Sequence, residues 1–410
     1  MHAPPGQSSS AWVDPALARF IRLHRQKNRV LSQRSSGPIP TEAELQTSGQ
    51  LQLNKAATAV TMPAPGAAVY PPLAYLPQGL ALGLAQAWHW PVVVAYGLAR
   101  LSALLFSAAA LFIAFLLINP SPLQLALLTL PMSLFQMASA SLDGFINSIA
   151  VVAISLHLAS EEASSKRLRK LHAGLLFCLL FTVPARLHLW PLLVLPLLSA
   201  HRLKERWARL SSVSLITVIA VWVLHVSRST IDLRRTGLSS DVLHTTVQLL
   251  THPIELVNLL VRTISNPQLL SFYGRSFIGV LGWLHLPLKP PIVYLMMTLL
   301  LGLCTLLSLL WVYHQPRRLL ENSRLLLVSL ALLSGVSIFL LLLLGWTPNP
   351  TQALVIEGVQ GRYFLIPALL IAFAVAPPQG DLKRLPSLAL SYGTGAVMLG
   401  ISTVLTLQVL

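Results

Sequence analysis

Charged residues are scarce in this chain of 410 residues. They make up 10% of it, and only 13 are acidic, whereas apolar residues make up 54% and the mean hydropathy is +0.68. Soluble domains carry about 25% charged residues, and disordered chains have low hydrophobicity. The composition therefore excludes both classes for most of the chain. Because uncharged apolar runs recur along most of the length, the sequence predicts an all-α, polytopic transmembrane helical bundle.

Cysteine is almost lacking, and the motifs of nucleotide and metal chemistry are missing. The two cysteines, Cys178 and Cys304, both lie in apolar runs, so the sequence holds no disulfide or zinc pattern. It contains no Gly-Lys-Ser/Thr phosphate loop, no His-Glu-x-x-His and no Cys-x-x-Cys. ATP hydrolysis and zinc hydrolysis therefore have no motif support. No cofactor is evident and no metal ligands are predicted, although a divalent cation stays open as a cofactor.

The net charge is +16, from 29 Lys and Arg against 13 Asp and Glu. In a soluble protein this excess would indicate nucleic acid, but here the basic residues fall mostly in short loops and near the N-terminus. Positively charged cytoplasmic loops explain that distribution in a membrane protein. The predicted partners are therefore membrane lipids and not nucleic acid.

Residues 1–68 differ from the rest in being polar and basic. They are rich in Ser, Gln, Pro and Ala, with a basic stretch from Arg19 to Arg34. We predict a flexible N-terminal tail with one short amphipathic helix near 14–31, either in solvent or on the membrane surface. The transmembrane domain then covers 69–410, and its first segment, 70–90, is too interrupted by Pro and Gly to span the membrane. It favours an interfacial or re-entrant helix.

Ten membrane spans are predicted after residue 90. The charge-free run from Leu101 to Leu142 is interrupted by Asn-Pro-Ser-Pro at 119–122, which divides it into two spans. The ten lie near 97–118, 123–140, 143–160, 171–184, 187–200, 210–227, 291–313, 325–346, 363–377 and 387–410.

The short loops predict the orientation. Basic residues cluster in the loops 161–170, 201–209, 314–324 and 378–386. Ten spans place all four loops on one face, which is therefore predicted to be cytoplasmic. The opposite, outer face then holds the long 228–290 loop, for which apolar residues at helical spacing predict short surface helices. It also holds the basic tail, which the same rule disfavours.

Candidate site residues are polar groups at the outer ends of the spans. Asp143 begins the third span, where it could bind a cation, a sugar hydroxyl or a proton, or cap its helix. Arg186, with His188, follows Pro184 between two short spans, and could hold a phosphate bidentately or cap a turn at the surface.

A second candidate group precedes the ninth span. Glu357, Gln360 and Arg362 lie around two glycines that allow close backbone approach, which suits a polar or anionic ligand. The alternative is that Arg362 and Tyr363 anchor the helix at the interface. We predict that Asp143, Glu357, Gln360 and Arg362 converge on one outer cavity. The aromatic run 272–285 could stack on sugars or lie among lipid headgroups.

Four stretches together resemble a known family: YPPLAYLPQGL from residue 70, PMSLFQMASASLDGFINS at 131–148, FIGVLGWLHLPL at 277–288 and EGVQGRYFLIP at 357–367. In this order and spacing they are similar to the bacterial membrane proteins with domain of unknown function 2142. The resemblance covers about 70–400. It implies a distant similarity to GT-C glycosyltransferases, which use polyprenyl-phosphate-linked sugars at the outer membrane face, and a place in the bacterial inner membrane.

The resemblance also implies a first membrane span followed by an outer loop with an acidic motif. Neither is evident before residue 70, where the acidic residues are Asp14, Glu42 and Glu44. The expected function is a role in cell-envelope polysaccharide or glycolipid synthesis. A glycosyltransferase would use Asp143 or Glu357 as the catalytic carboxylate and Gln360, Arg362 or Arg186 to bind phosphate. The alternatives are a transporter or flippase for lipid-linked sugars, and a non-catalytic membrane scaffold.

Overall fold

The computed structural model describes residues 9–31, 37–54, 58–64, 67, 69–161, 163–230, 242–282, 284–314 and 322–409. Within them the chain is mostly helical, with two small two-stranded antiparallel sheets. The predicted all-α membrane class is confirmed: in these described ranges, six helices are long and apolar enough to cross a membrane.

The helices that precede the long loop are α1 (Pro15–Leu31), α2 (Glu42–Gln50), α3 (Leu76–Ala87), α4 (Val92–Leu117), α5 (Pro122–Leu128), α6 (Pro131–Met137), α7 (Asp143–Ala159), α8 (Ser165–Ala185), α9 (Val194–Leu203) and α10 (Arg206–Ser229). Those that follow are α11 (Val242–Thr251), α12 (Pro253–Ser265), α13 (Pro267–Ile278), α14 (Ile292–His314), α15 (Asn322–Gly345), α16 (Leu365–Ala374), α17 (Gln379–Leu382) and α18 (Leu385–Leu407). Short 3₁₀ turns lie at Pro72–Tyr75, Leu187–Leu193 and Gly361–Phe364.

The six helices of membrane-spanning length are α4, α8, α10, α14, α15 and α18. Three further apolar helical stretches are shorter, at Asp143–Ala159, Leu187–Leu203 and Gly361–Ala374. The loop expected at 161–170 is shorter than predicted, because α8 begins at Ser165 and takes its basic residues into its first two turns.

One predicted span, 123–140, is not a continuous helix. It consists of α5 and α6, each seven residues long. Pro131 has no N–H to continue the hydrogen-bond ladder, and it starts a new helix instead. Every residue of α5 from Leu123 to Leu128 is buried, so this broken segment lies in the core of the bundle.

Small residues explain how α4 joins the bundle. Its buried positions are three or four residues apart and are nearly all alanine or serine: Ala95, Ala99, Ala103, Ser107, Ala110 and Ala114. Such a stripe lets two helix backbones approach closely. The opposite face carries large exposed side chains, among them Leu105, Phe112 and Leu116, which suits contact with lipid. Phe106 lies edge-on to Phe145 of α7 with ring centroids 6.0 Å apart.

The N-terminal segment holds more structure than the one helix predicted near 14–31. That helix is present as α1. It is accompanied by α2 and by the antiparallel pair of strands β1 (Ser10–Val13) and β2 (Val60–Pro63). Asp14 caps α1 by accepting from the backbone N–H of Ala16 at 2.8 Å, and accepts from the N–H of Asn54 at 2.8 Å. The segment contacts α4, where Phe20 lies 5.7 Å from the ring of Tyr96. The flexibility of this segment stays a prediction, and residues 1–8 lie outside the described residues.

Helices α11, α12 and α13 lie in the long loop 228–290, followed by the hairpin of β3 (Val280–Leu281) and β4 (Leu286–Pro287). Thr263 of α12 accepts from the N–H of Ile356 at 3.0 Å, and Ser276 of α13 accepts from the N–H of Gly361 at 2.8 Å. Helices α12 and α13 therefore pack against the segment that leads into α16. Their position on a membrane surface stays a prediction.

Candidate functional site

Asp143 is the first residue of α7, and its environment begins with a glycine. A Cβ atom at Gly144 would lie 2.4 Å from the Cα of Met137, so only glycine lets α7 start this close to the end of α6. The close approach brings Gln136 to Asp143, with 3.3 Å between Nε2 and Oδ2. Asn147 in turn donates to Oε1 of Gln136 at 3.5 Å. Leu142 occupies the N-cap position of α7, and Asp143 is the first helical residue.

Arg186 forms an ion pair with Asp143. It follows the C-terminal end of α8, where Pro184 and Ala185 complete the helix and a 3₁₀ turn begins. Since α7 and α8 are consecutive helices of similar length, the end of α8 returns to the start of α7. Both side chains are almost enclosed, at 12% exposed for Arg186 and 11% for Asp143. The guanidinium carbon of Arg186 also lies 5.9 Å from the ring centroid of Tyr70.

Arg362 lies near the other oxygen of the same carboxylate. Its Nη1 lies 3.7 Å from Oδ2 of Asp143, and its side chain is 25% exposed. A second glycine makes this placement possible, because a Cβ at Gly361 would lie 2.0 Å from the carbonyl oxygen of Tyr273. The Nε atom of Arg362 is buried and has no hydrogen-bond partner among the described residues.

The charges do not cancel in this cluster of Asp143, Arg186 and Arg362, which we call the arginine–aspartate cluster. One carboxylate faces two guanidinium groups, so one positive charge is left over. Charged groups that are shielded from water interact strongly, and guanidinium groups bind phosphate and carboxylate through two parallel hydrogen bonds. The cluster therefore favours an anion, and it is a poor site for a divalent cation.

Gln360 and Glu357 have different surroundings. Gln360 is half-buried, and its Oε1 has no partner among the described residues. Glu357 is exposed, and its backbone N–H donates to Thr347 at 3.1 Å. Among the described ion pairs, Arg362 is paired with Asp143 and not with Glu357. Gly358, with φ of +79°, turns the chain between them at a place where a Cβ would lie 2.4 Å from Trp346.

Three polar neighbours of the cluster were not predicted: Gln136, Asn147 and Tyr75. The first two lie in the stretch FQMASASLDGFIN: Gln136 is three residues before Ser139, and Asn147 is four residues after Asp143, where α7 starts. Burial raises the pKa of the Tyr75 hydroxyl to about 12, the neighbouring Tyr70 raises it as well, and Arg186 opposes both. His188 lies nearby, with its ring centroid 6.4 Å from that of Tyr363.

No group of three or more His, Cys, Asp or Glu side chains that could hold a metal ion occurs in the described part of the chain. Cys178 and Cys304 are buried and unpaired with each other.

A family model of predicted membrane proteins, DUF2142, matches residues 20–372. The chain belongs to this family. The match starts within α1, well before the 70–400 range over which the resemblance was placed, so the N-terminal segment is part of what the DUF2142 family shares with this chain. No curated protein matches the chain. No solved structure matches it either.

Proposed function

We propose that this DUF2142 protein binds a polyprenyl-phosphate-linked sugar at the outer face of a bacterial inner membrane, in cell-envelope polysaccharide or glycolipid synthesis. The observation that carries the proposal is the arginine–aspartate cluster, in which two guanidinium groups share a single carboxylate. A phosphate would take up the uncompensated charge. The unpartnered Nε of Arg362 is a donor suited to one of its oxygens.

The topology supports this assignment. Arg169 donates to Glu205 at 2.7 Å and Arg202 to Glu161 at 3.5 Å, which joins the loops 161–170 and 201–209. The N–H of Asn119, just after α4, donates to Oε1 of Gln379 at 2.8 Å. Helix α4 runs in the same direction as α7, because Arg100 contacts Ala138 and Phe106 contacts Phe145 further along both segments. These basic ends lie at the opposite end of α7 from Asp143. Ten crossings with the basic loops in the cytoplasm would place the arginine–aspartate cluster at the outer face of the membrane. Arg317 and Arg318, in the third basic loop, are not among the described residues.

Glycosyl transfer at this site would use Asp143 as the general base. Phosphate binding would draw Arg186 and Arg362 away from Asp143, which frees the carboxylate to accept a proton from an acceptor hydroxyl. The acceptor oxygen would then bond to the anomeric carbon as the bond from that carbon to the phosphate oxygen breaks. The departing polyprenyl phosphate would keep both guanidinium groups, which stabilise its charge.

The alternative is binding without chemistry, as in a flippase or a scaffold for an envelope-synthesis complex. One observation favours it: Asp143 is engaged by both arginines and by Gln136, so no free carboxylate is present at the centre of the cluster.

The variant Asp143→Asn separates the two functions. It keeps the side-chain shape and leaves both guanidinium groups for the phosphate, so we expect retained binding of a polyprenyl-phosphate sugar. Sugar transfer to an added acceptor should fall at least about 100-fold if Asp143 is the base. Transfer at the wild-type rate would exclude Asp143 as the base. Loss of binding in Asp143→Asn together with full binding in Arg362→Ala would contradict the phosphate site itself.

A further inference from the structure

A groove lies between the end of α13, the β3–β4 hairpin, the start of α14 and the end of α18, away from the arginine–aspartate cluster. Its volume is about 1140 Å³. Both α14 and α18 have the length and composition of membrane spans. Since the groove lies at the first turn of one and the last turn of the other, it lies where a span meets the membrane–water boundary.

Two cations line this groove, Arg275 and Lys289, and no carboxylate lies among its described lining residues. Arg275 is exposed and donates through Nε and Nη2 to the hydroxyl of Ser271, at 3.2 and 2.9 Å. That hydroxyl is neutral, so the guanidinium charge is not compensated there. Lys289 is exposed in the turn before α14. The groove therefore carries an excess of positive charge.

The remaining walls are mostly apolar, with the polar side chains of Ser271, Thr298 and Gln408 among them. Pro287, Pro290 and Pro291 line one side, and the fixed φ of proline restricts their motion. The hydroxyl of Tyr294 accepts from the N–H of Leu288 at 2.9 Å and donates to the carbonyl of Gly279 at 2.7 Å, which ties the hairpin to α14. Along α14 the groove continues to Leu295, which is 54% exposed.

We propose that this groove binds one anionic phospholipid. Its phosphate would lie between Arg275 and Lys289, and an acyl chain would follow Leu295 along α14. The charge argues for an anionic lipid over a zwitterionic one. Each Lys or Arg near a membrane surface increases the affinity for anionic lipid by about fivefold. The apolar continuation argues for a lipid over a soluble anion. The proposal does not depend on the function proposed for the arginine–aspartate cluster.

The test is native mass spectrometry of the full-length protein in non-ionic detergent, titrated with phosphatidylglycerol or phosphatidylcholine. The test variant is the double substitution Arg275→Gln with Lys289→Gln. Because both positions are exposed, we expect its circular dichroism spectrum to match that of the wild type. The first phosphatidylglycerol should bind about 30-fold more weakly than to the wild type. The matched control Arg19→Gln with Lys383→Gln removes the same charge from two exposed, separate positions, and should stay within twofold of the wild type.

Three results would overturn the proposal. One is equal phosphatidylglycerol affinity in the double variant and the control. Another is displacement of the lipid by soluble glycerol phosphate at comparable concentration, which would assign the groove to a free anion. The third is a dimer of the wild type that the double variant loses, which would make the groove an interface between two copies of the chain.

Discussion

At the scale of single residues, the neighbours of Asp143 decide which ligand the site prefers. A lone carboxylate at the end of a span suits a cation or a proton, and the sequence left those alternatives open. The structure places two guanidinium groups beside it, which reverses the net charge of the site. The sequence could predict that Asp143 and Arg362 share one end of the bundle. The ion pair of Arg186 with Asp143 depends on how α7 packs against α8. That packing cannot be inferred from the spacing of residues in the sequence.

The two arginines should differ in their effect on stability. Arg186 is 12% exposed and Arg362 is 25% exposed and farther from the carboxylate. We expect Arg186→Ala to lower the free energy of unfolding by about 3 kcal/mol, because it breaks a nearly buried ion pair. Arg362→Ala should cost about 1 kcal/mol or less, nearer to the value of an exposed pair. Thermal unfolding in detergent measures both. Equal losses in the two variants would show that Asp143 is held by the two arginines alike.

Two glycines should tolerate no side chain. At Gly144 and Gly361 an added Cβ would meet backbone atoms at 2.4 and 2.0 Å, so Gly144→Ala and Gly361→Ala should each cost more than about 2 kcal/mol of stability and reduce the folded yield. Gly83 in α3 is a matched control, since a Cβ there meets no atom within 4 Å. Gly83→Ala should stabilise the helix by up to about 1 kcal/mol. Normal melting temperatures for the two tight positions would disprove the close helix approaches.

For the helices, hydrophobicity predicts where apolar helices occur better than it predicts whether each one is unbroken. The long apolar helices α4, α10, α14, α15 and α18 lie at predicted spans. The segment 123–140 was predicted as one helix because its composition is uniformly apolar, but Pro131 divides it. A buried broken helix and a lipid-facing continuous one have similar compositions, so only packing distinguishes them. The small-residue stripe of α4 is visible in the sequence as a three- to four-residue spacing. The sequence does not show which helix packs against it.

The stripe gives a prediction about α4. Ala103 is buried on the face toward the bundle, whereas Leu105 is 57% exposed on the opposite face. Ala103→Leu should overpack the interface and lower stability by about 1–3 kcal/mol. Leu105→Ala should change it by less than about 0.5 kcal/mol, because its contacts are with lipid or detergent. Unfolding curves of both variants in the same detergent provide the comparison, and the reverse order of effects would mean that the buried face of α4 is misassigned.

At the scale of the whole molecule, the basic segments determine the predicted orientation. The ion pairs between 161–170 and 201–209 show that two of the basic segments are neighbours. Which face is cytoplasmic depends on the membrane and not on contacts within the chain, so the orientation stays a prediction.

Cysteine labelling tests the orientation. Gln268 at the start of α13 and Arg167 at the start of α8 are both exposed. In intact cells a membrane-impermeant maleimide should label Gln268→Cys and leave Arg167→Cys unlabelled, while both should react after the cells are lysed. The native Cys178 and Cys304 are buried and should give little background. Labelling of position 167 in intact cells would reverse the topology and place the arginine–aspartate cluster in the cytoplasm.

The central claim is that the arginine–aspartate cluster binds a phosphate on a polyprenyl chain. Binding of polyprenyl phosphate and of uncharged polyprenol to the purified full-length protein tests it most directly. We expect the phosphate to bind at least about tenfold more tightly than the alcohol. Arg362→Ala should remove that difference, and Arg362→Lys should restore it poorly because a point charge lacks the planar fork. The control Lys383→Ala, at the opposite end of the bundle, should keep it. Equal affinity of the wild type for phosphate and alcohol, or an unchanged preference in Arg362→Ala, would contradict the claim.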